Sequence, residues 1–547
     1  HPALLDAALH TLVGARDEAE GDQRVFLPFE WTGVELFAAG GTELRVRVDL
    51  DASGTGARIW VADPAGGPVA FVDGLQIREA TAEQVRAGAT VDHLYRVSYQ
   101  ETRVLEERSR ADLWILGEGT GAGAALLAGL PTARPVDGVA ALIGRLAAEA
   151  HPSAVAVDLT GSAGPVHEAL STGLALTQQL VAEPALESVE LVFVTRGAVA
   201  GDPVQAALWG LLRTARTEYP ERTIRLLDLD EDASADAVER ALFSTGEPEL
   251  AVIGGRVTAP RLVRVSAADA SERVVLDPER TVLVTGGTGE LGRELAEHLV
   301  RHHGVRHLVL TSRQGEAAPG AADVRGALLA AGAESVRIEA CDVADREQIA
   351  TVVNGLGGAL GSVFHLAAVL DDGLLAGQSA ERFARVLAPK AIGARHLDEL
   401  TRGLDLDAFV LFSSAAGVLG GAGQSGYAAA NAYVDALASR RRADGLPGLS
   451  LSWGLWQQAG TGLTAHLGDA ELQRMRRQGV AALTPAQGLR ALDAALATDL
   501  AHVVPVRLEL SAVRREMERS GDVPPLLRSL VRARLRRAGT AAAAPSA

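Results

Sequence analysis

The sequence has almost no lysine. Lys390 is the only one, and arginine supplies all the other positive charges among the 52 Lys and Arg residues. Arginine therefore serves wherever a general positive charge is needed. Lysine differs because its ammonium is a compact charge whose pKa shifts readily on burial, whereas the guanidinium is planar and always charged. The single lysine predicts a position at which arginine would fail.

Cysteine, net positive charge and long apolar runs are scarce as well. The one cysteine, Cys341, excludes an internal disulfide framework and a multi-thiolate metal site, which favours a cytosolic protein. The net charge of −17 argues against nucleic-acid binding, which needs a clustered basic face. No apolar run reaches the roughly 18 residues of a membrane span, and no targeting segment opens the chain. Because the first residue is not Met, we expect a piece of a longer protein.

Hydrophobic residues make up 48% of the 547 positions, which is enough for large cores. Near the start, alternating runs such as TELRVRVDLD predict antiparallel strands. Apolar strands then alternate with helices in two successive stretches, the second beginning at RTVLVTGGTGELG, which is typical of parallel α/β sheets. The Ala-, Pro- and Ser-rich end predicts an unfolded linker. The predicted segments are 1–90, 91–275, 276–520 and a linker over 521–547.

A glycine motif, TVLVTGGTGELG, joins a predicted strand to a predicted helix through Gly286, Gly289 and Gly292. Such glycines let the backbone approach a pyrophosphate, which the free N–H groups of the helix N-terminus can bind. The pattern alone is weak, since LWILGEGTGAG also places glycines after a strand. Only the first motif has supporting residues, and we assign Thr288 and Leu291 to the same cofactor loop.

Arg313 follows the next predicted strand, VLTSR, where an acidic residue would bind the ribose hydroxyls of NAD. An arginine there suits the 2′-phosphate of NADP instead. Ser312 precedes it, while Asp342 and Val343 follow the strand VRIEA at the expected place for an adenine edge. A surface arginine is the alternative if the glycine motif is disregarded.

A candidate catalytic set lies in FSSAAGVLGGAGQSGYAAANAYVDA. Ser414 ends a predicted strand, and Tyr427 and Asn431 are four residues apart on one helical face. A tyrosine protonates a ketone well if a nearby ammonium lowers its pKa, and Lys390 is the one candidate. The alternative for the serine, tyrosine and asparagine alone is a turn followed by an ordinary helix.

Together these motifs, over about residues 93 to 520, resemble the ketoreductase domain of a modular type I polyketide synthase, in the short-chain dehydrogenase/reductase superfamily. The superfamily usually has Tyr-x-x-x-Lys, whereas here Asn431 follows Tyr427 and the lysine lies upstream, as in ketoreductases of polyketide synthases. The resemblance implies that Tyr427 is the general acid, that Ser414 binds the ketone and that Lys390 and Asn431 organise the tyrosine.

The same resemblance implies an α/β fold of two Rossmann-like subdomains. Residues 91–275 would form a truncated structural unit without cofactor, and residues 276–520 a catalytic doubly wound parallel sheet. The implied cofactor is NADPH. The implied partners are other synthase domains and an acyl carrier protein with a phosphopantetheine-tethered β-ketoacyl substrate, whose Asp-Ser-Leu attachment motif is not in the sequence.

By family pattern the product configuration can be predicted. The run VLDDGLL matches the Leu-Asp-Asp signature of B-type ketoreductases, with Asp372 as the diagnostic residue. Leu419 stands where A-type members have tryptophan, and Ala429 where epimerising B2 members have proline. These residues predict a B1-type enzyme and a 3R (D) alcohol. Ala368, where the family usually has glycine, departs from the pattern and predicts a tighter cofactor wall.

The N-terminal segment resembles the second hotdog half of a polyketide synthase dehydratase. Asp6 and His10, on one helical face, match its active-site pair. The H-x-x-x-G-x-x-x-x-P motif of the first half is absent from this sequence, so we expect no dehydration by this chain alone. A remnant that serves docking or dimerisation is an equal alternative.

Two other functions compete with reduction of a β-ketoacyl thioester. One is a redox-inactive unit that binds the carrier or dimerises the synthase, against which the intact Tyr427, Ser414 and Lys390 argue. The other is an extended reductase of nucleotide sugars with similar glycine spacing. That family would have lysine at position 431, and the asparagine there counts against it. No metal site is expected.

Overall fold

The computed structural model divides into two compact units, His1–Thr90 with Ser266–Ala268 and Val91–Val265 with Asp269–Ala547. The division at Thr90/Val91 falls at the predicted end of the N-terminal segment. The structure describes residues 25–38, 43–51, 56–80, 90–102, 113–117, 122–130, 133–244, 246–271, 273–457, 479–520 and 523–531.

The smaller unit contains a four-stranded antiparallel sheet, as the alternating sequence predicts. Its order is β1-β4-β3-β2, and its buried face includes Ile59, Val72 and Leu75. Hydrophobic residues alternate with exposed ones along β3, because successive side chains of a strand point to opposite faces. The strands are β1 (Val25–Leu36), β2 (Arg45–Leu50), β3 (Gly56–Ala62) and β4 (Pro68–Ala80).

The N-terminal half of the larger unit is an α/β arrangement in which apolar strands are buried between helices. All six residues of β10 are buried, as expected for a central strand covered on both faces. The strands are β5 (Thr90–Glu101), β6 (Leu113–Leu116), β7 (Ala133–Val136), β8 (Ala154–Asp158), β9 (Glu190–Arg196), β10 (Ile224–Leu229), β11 (Glu249–Ile253) and β12 (Arg256–Ser266). The helices are α1 (Ala122–Ala128), α2 (Gly138–Ala148), α3 (Val166–Ala182), α4 (Pro203–Glu218) and α5 (Ala235–Phe243).

The C-terminal half is a doubly wound sheet with helices on both faces. Its strands are β13 (Thr281–Thr285), β14 (His307–Ser312), β15 (Ser335–Ala340), β16 (Leu360–His365), β17 (Ala408–Ser414), β18 (Leu449–Trp453) and β20 (His502–Pro505), with a small ladder of β19 (Val480–Ala481) and β21 (Arg507–Leu508). The helices are α6 (Glu290–His303), α7 (Ala321–Ala331), α8 (Arg346–Leu356), α9 (Ala380–Leu387), α10 (Gly393–Thr401), α11 (Ala416–Leu419), α12 (Ser425–Ala443), α13 (Pro485–Ala495) and α14 (Leu510–Ser520). None of the helices within the described ranges combines the length and apolar character needed to cross a bilayer.

The two halves share one sheet of 15 strands, in the order β15-β14-β13-β16-β17-β18-β20-β5-β12-β11-β10-β9-β8-β6-β7. Strand β5 joins them: Tyr95 pairs with Val504 of β20 in antiparallel fashion, and β12 flanks the other edge. The sequence predicted two Rossmann-like α/β regions, and the structure confirms them. The structure also shows that the two regions form one continuous sheet, in which β5, the first strand of the larger unit, lies between them.

Helices α4 and α12 also join the halves, because their backbones come into close contact. A Cβ atom on Gly210 would lie 2.4 Å from the carbonyl oxygen of Ala428. Nearby, Arg213 donates to the carbonyl of Gly417 at 2.7 Å and forms a bidentate pair with the buried carboxylate of Glu249. The pair holds the pKa of Glu249 at about 2, so the carboxylate stays charged.

A hydrogen-bonded junction connects α6 to α13. The Nε2 atoms of His298 and His303 lie 2.9 and 2.7 Å from the same carboxylate oxygen of Asp493. Such a trio has the chemistry of metal ligands. Arg273, however, lies 3.9 Å from that oxygen, and its fixed positive charge would oppose a bound cation. The trio therefore acts as a junction between helices.

The linker predicted over 521–547 is wrong for residues 523–531. Leu527 and Val531 are buried in a cluster with Tyr95 and Leu262, and Arg528 pairs with Glu247 at 2.7 Å. The cause is the local run PLLRSLV, whose leucines and valine supply an apolar face despite the flanking arginines.

The α4–α12 contact predicts opposite effects for two helical glycines. Gly210→Ala should lower stability to chemical denaturation by about 1–3 kcal/mol, because the added methyl group meets a backbone carbonyl. Gly144→Ala, in α2 with open space around its Cβ position, should be stabilising by about 0.5–1 kcal/mol. Equal denaturation midpoints for the two variants would contradict this description of the interface.

Candidate active site

The predicted site residues meet at the carboxyl ends of the C-terminal strands. In the order β15-β14-β13-β16-β17, the chain changes direction between β13 and β16, where doubly wound sheets bind ligands. A cleft of about 1810 Å³ lies along this edge. All the predicted cofactor residues line it, as do Tyr427, Ser414, Lys390, Asp372 and Leu419.

The glycine loop forms the cleft wall next to α6. Gly286 adopts a φ of +71°, which disfavours residues with a side chain. A Cβ atom on Gly292 would lie 2.6 Å from the carbonyl oxygen of Gly286, so this glycine permits the close contact between helix and loop. Gly289 is the N-cap residue of α6, and because it has no side chain it leaves the first N–H groups of the helix uncapped. Thr288 and Leu291 line the same wall. The loop therefore leaves a helix N-terminus open to an anionic group.

Arg313 supplies a positive charge to this end of the cleft. Its side chain is exposed and forms no ion pair with any residue in the described ranges. Asp342 accepts a hydrogen bond from the amide of Ala344 at 3.0 Å, while Ser312 accepts one from Gly315 at 3.1 Å. These polar side chains are thus fixed by their own loops. The glycine loop, the open helix end and Arg313 fit a phosphorylated dinucleotide.

Lys390 lies in a π-helical segment, Ala388–Ile392, between α9 and α10. Pro389 has no N–H group to continue the α-helical hydrogen bonds, which favours this irregular turn. Only 3% of Lys390 is exposed, and its Nζ donates to the carbonyl of Phe412 at 2.6 Å. Burial lowers the pKa of Lys390 to about 8, and the negative charge of Asp435 opposes this decrease.

His365 holds the main chain of Lys390 in place. Its Nε2 lies 3.0 Å from the carbonyl oxygen of Lys390, and its Nδ1 lies 2.7 Å from the hydroxyl of Thr285. Burial lowers the pKa of His365 to about 3, so the ring is neutral. A neutral ring that donates from Nε2 must accept from Thr285 at Nδ1, which fixes its tautomer. Sequence reasoning gave His365 no role, although it ends strand β16 beside the motif residues.

Tyr427 lies in the first turn of α12, with the Lys390 ammonium 5.9 Å from its ring centre. The expected low pKa of Tyr427 is not found: burial raises it, and polar contacts with Ser414 and Asn431 only partly oppose the rise. Loss of water around the phenolate outweighs the polar contacts. Tyr427 is therefore held in its protonated form, which is the form of a proton donor.

Asn431 lies behind the tyrosine and does not line the cleft. The asparagine is fully buried, and its Nδ2 donates to the main-chain carbonyl of Tyr427 at 2.7 Å. Its own main-chain carbonyl accepts from Ser413 at 3.2 Å. Asn431 thus secures the turn of helix that carries the tyrosine.

A buried polar network extends from this turn to Asp435, four residues further along α12. The two carboxylate oxygens of Asp435 accept hydrogen bonds from Ser450 at 2.6 Å and Ser452 at 2.9 Å. The hydroxyl oxygens of Ser452 and Ser413 lie 3.3 Å apart, which brings Ser413 into the same network. Because Asp435 helps to keep Lys390 charged, it belongs to the electrostatics of the site. No sequence motif singled it out.

The two aspartates of VLDDGLL differ in their contacts. Asp371 is ion-paired with Arg382 at 2.7 Å and Arg385 at 2.5 Å, so it anchors its loop to α9. Asp372 accepts from the side-chain amide of Gln424 at 3.2 Å and lines the cleft next to Tyr427. Asp6 and His10, the predicted dehydratase-like pair, lie outside the described residues.

The shifted pKa of Lys390 gives a direct test, because a single labelled lysine can be observed in the whole chain. With ¹³C-labelled lysine, the ε-carbon resonance should titrate with a midpoint near 8. Asp435→Asn should move the midpoint lower still, since it removes the charge that favours the ammonium. A midpoint above pH 10 would contradict the buried environment described here. Asp407→Asn, far from the lysine, serves as the control.

Three family models match the chain in succession. The first, described as "Polyketide synthase dehydratase N-terminal domain", matches residues 1–87. The second, "Polyketide synthase extender module SpnB, Rossmann fold domain", matches residues 98–262. The third, "KR domain", matches residues 280–458. The predicted dehydratase relation is confirmed, although the model's description names the N-terminal domain where the sequence predicted the second half.

Curated relatives are large synthases. Polyketide synthase GfsA of Streptomyces halstedii is 44% identical over 98% of this chain, which spans 7% of that protein. Spectinabilin polyketide synthase system protein NorA of Streptomyces orinoci is 41% identical over 99% of this chain, which spans 29% of it. The chain therefore corresponds to a small part of the relatives it matches.

Solved structures of ketoreductases cover the larger part of the chain. An A1-type ketoreductase is 35% identical with a TM-score of 0.68, over 80% of this chain and 97% of that one. A C2-type ketoreductase from a modular polyketide synthase is 32% identical with a TM-score of 0.70, over 80% and 100%. Because the described types differ, the shared fold does not decide between them. On this evidence of sequence, fold and cleft, the chain belongs to the ketoreductase domains of modular polyketide synthases, with a dehydratase-related segment before it.

Proposed function

We propose that this chain reduces the β-ketone of an acyl chain carried on an acyl carrier protein, with NADPH as the reductant. Ketoreductase domains are oxidoreductases that use a nicotinamide cofactor, so the proposal specifies which cofactor and which substrate. The observation that carries it is the convergence of Ser414, Tyr427 and Lys390 in one cleft with the glycine loop. The predicted segments 1–90, 91–275 and 276–520 are retained as its domain assignment.

The side chains divide the chemistry of reduction between them. The cofactor contributes a hydride for the β-carbon when it is bound. The Tyr427 hydroxyl donates a proton to the ketone oxygen, and its raised pKa keeps that proton in place beforehand. Ser414 lies close enough to Tyr427 to lower its pKa, so one ketone oxygen can accept from both hydroxyls as negative charge develops on it.

Lys390 makes the proton transfer less costly. Its ammonium, 5.9 Å from the Tyr427 ring centre, favours the phenolate that forms when the proton leaves. A guanidinium could not reproduce this site, because it is planar and always charged, whereas the compact Lys390 ammonium donates to the Phe412 carbonyl at 2.6 Å from a buried turn and its pKa falls on burial. Asn431 and His365 act as positioning residues for the tyrosine and the lysine.

The proposed product is the 3R (D) alcohol of a B1-type enzyme. Support comes from the cleft: Asp372 and Leu419, the two residues that predict this type, both line it near Tyr427. Asp372 is held by Gln424, the residue directly before α12, the helix that bears the tyrosine. The loop with Asp372 therefore has a defined position against which the acyl chain can be oriented.

A redox-inactive scaffold is the competing function. A scaffold has no need of a buried lysine with a pKa near 8 or of a polar network that keeps it charged. We therefore favour the reductase. We propose that the dehydratase-related segment before the reductase does not carry out dehydration in this chain alone. The proposed partners of the chain are an acyl carrier protein and other synthase domains.

Tyr427→Phe tests the chemistry. The variant should lose about 10²–10⁴-fold in turnover of a β-ketoacyl thioester, because the proton donor is gone while the ring remains. Nicotinamide absorbance gives the rate, and chiral chromatography gives the configuration of the alcohol. Tyr433→Phe is the matched control, since Tyr433 lies on the same helix, is buried and does not line the cleft.

Three results would change the proposal in different ways. Wild-type protein that binds NADPH tightly and turns over no thioester would favour the scaffold. A 3S alcohol would keep the reductase and overturn the role assigned to Asp372. Full activity of Tyr427→Phe would remove the tyrosine as the acid.

Arg313→Gln tests cofactor choice. Removal of the guanidinium should weaken NADPH binding by about tenfold or more and leave NADH binding unchanged, because only NADPH carries the 2′-phosphate. Arg306→Gln is the control: Arg306 lies just before β14 and pairs with Glu279, whereas Arg313 follows β14. Equal loss for both cofactors, measured by fluorescence titration, would contradict the assignment.

A further inference from the structure

Two loops form the side of the cleft where the substrate must approach Tyr427. The first, residues 366–379, follows β16 and contains Asp372; the second, residues 420–424, precedes α12. We call them the substrate loops. They touch each other, because the amide of Gly373 donates to the carbonyl of Gly423 at 2.8 Å. Both contribute to the lining of the cleft.

One carboxylate of the N-terminal half binds both substrate loops. Glu218 is the last residue of α4, and its Oε2 accepts from the amide of Leu375 at 2.6 Å. Its Oε1 accepts from the amide of Gly423 at 2.7 Å. A carboxylate that receives two main-chain N–H groups forms charge-assisted hydrogen bonds, which are stronger than neutral ones. The Glu218 side chain thus sets the distance between the two loops, because it binds one main-chain N–H group in each.

The helix that carries Glu218 is itself firmly held. Its backbone contacts α12 at Gly210, and Arg213 joins it to Gly417 and to the charged Glu249. A second residue of the same half acts on the same loop. The side-chain amide of Gln178, on α3, donates to the carbonyl of Leu375 at 2.8 Å. The main-chain N–H of Leu375 is thus bound by Glu218 and its carbonyl by Gln178.

From these contacts we propose that Glu218 is a positioning residue for the substrate, and that residues 91–275 thereby take part in the reaction's selectivity. The proposal rests on the proposed reductase function. Since the substrate loops carry Asp372 and flank Tyr427, their spacing controls how the ketone lies against the proton donor. The Glu218 carboxylate accepts its hydrogen bonds from Leu375 and Gly423 of the substrate loops and not from the glycine loop, so cofactor binding should be independent of it.

The test is Glu218→Gln, which keeps the size of the side chain but presents an NH₂ group to one of the two amides. We expect KM for the β-ketoacyl thioester to rise about tenfold with a smaller change in kcat, and the minor alcohol configuration to increase. The dissociation constant for NADPH should stay unchanged. Glu221→Gln, an exposed carboxylate three residues further on, is the matched control and should match the wild type.

Hydrogen exchange measures the contact without turnover. Peptides that cover Leu375 and Gly423 should exchange faster in Glu218→Gln than in the wild type, while peptides of the glycine loop should not. Unchanged exchange would overturn the proposal. Faster exchange with unchanged KM, thioester affinity and product configuration would also overturn it, since the loops would then be held without effect on the substrate.

Failure of the reductase function gives a different result. In that case the wild-type protein shows no turnover, and the dissociation constant of the thioester replaces KM as the substrate readout. A Glu218→Gln variant with faster loop exchange and weaker thioester binding would still support positioning by Glu218. Equal thioester binding in both proteins would reject it.

Discussion

The contact between the backbones of α4 and α12 is the constraint on which the site depends. Gly210 has no side chain, so Ala428 can approach it closely, and Ala428 is the residue that follows Tyr427. The proton donor is therefore fixed against a helix of the other half of the unit. Because close-packed protein interiors resist small displacements, the contact between Gly210 and Ala428 fixes the position of Tyr427 relative to the cleft. Arg213, on the same helix, forms the bidentate pair with Glu249 that fixes the helix to β11.

Electrostatics in the site follows from burial more than from direct pairing. Burial lowers the pKa of Lys390 to about 8 and raises that of Tyr427 above its usual value, so the two pKa values, which are similar in water, move apart. Asp435 opposes the change at the lysine through its charge, and His365 holds the lysine's carbonyl while remaining neutral. The result is a charged ammonium beside a protonated phenol at the wall of the cleft.

From the sequence alone it could be predicted that the residues of several short motifs lie along one edge of the sheet. The glycine loop, Arg313 and the Ser414–Tyr427–Asn431 set each follow a strand, and strands of a parallel sheet end at the same edge. What could not be predicted depends on distant contacts. The π-helical turn at Lys390 depends on packing around Pro389, and Glu218 looks like any acidic residue near a helix end until both loops are in place.

The direction of the Tyr427 shift could not be obtained from the sequence for a related reason. The presence of a lysine is local information, whereas desolvation sums over every atom that surrounds the phenol. The same holds for the end of the chain: composition predicts a linker from residue 521, but Leu527 and Val531 find a cluster prepared by Tyr95 and Leu262. Composition cannot report such a partner.

Strand β5 has a consequence for biosynthesis. Tyr95 must pair with Val504, and about 400 residues of chain separate them. At roughly 5–20 residues per second, the ribosome needs about 20–80 s to supply the second strand. The edge of β5 that faces β20 is without its partner for that whole interval, and open strand edges invite association with other chains. The nascent chain thus depends on protection of this one edge until the last strand of the sheet emerges.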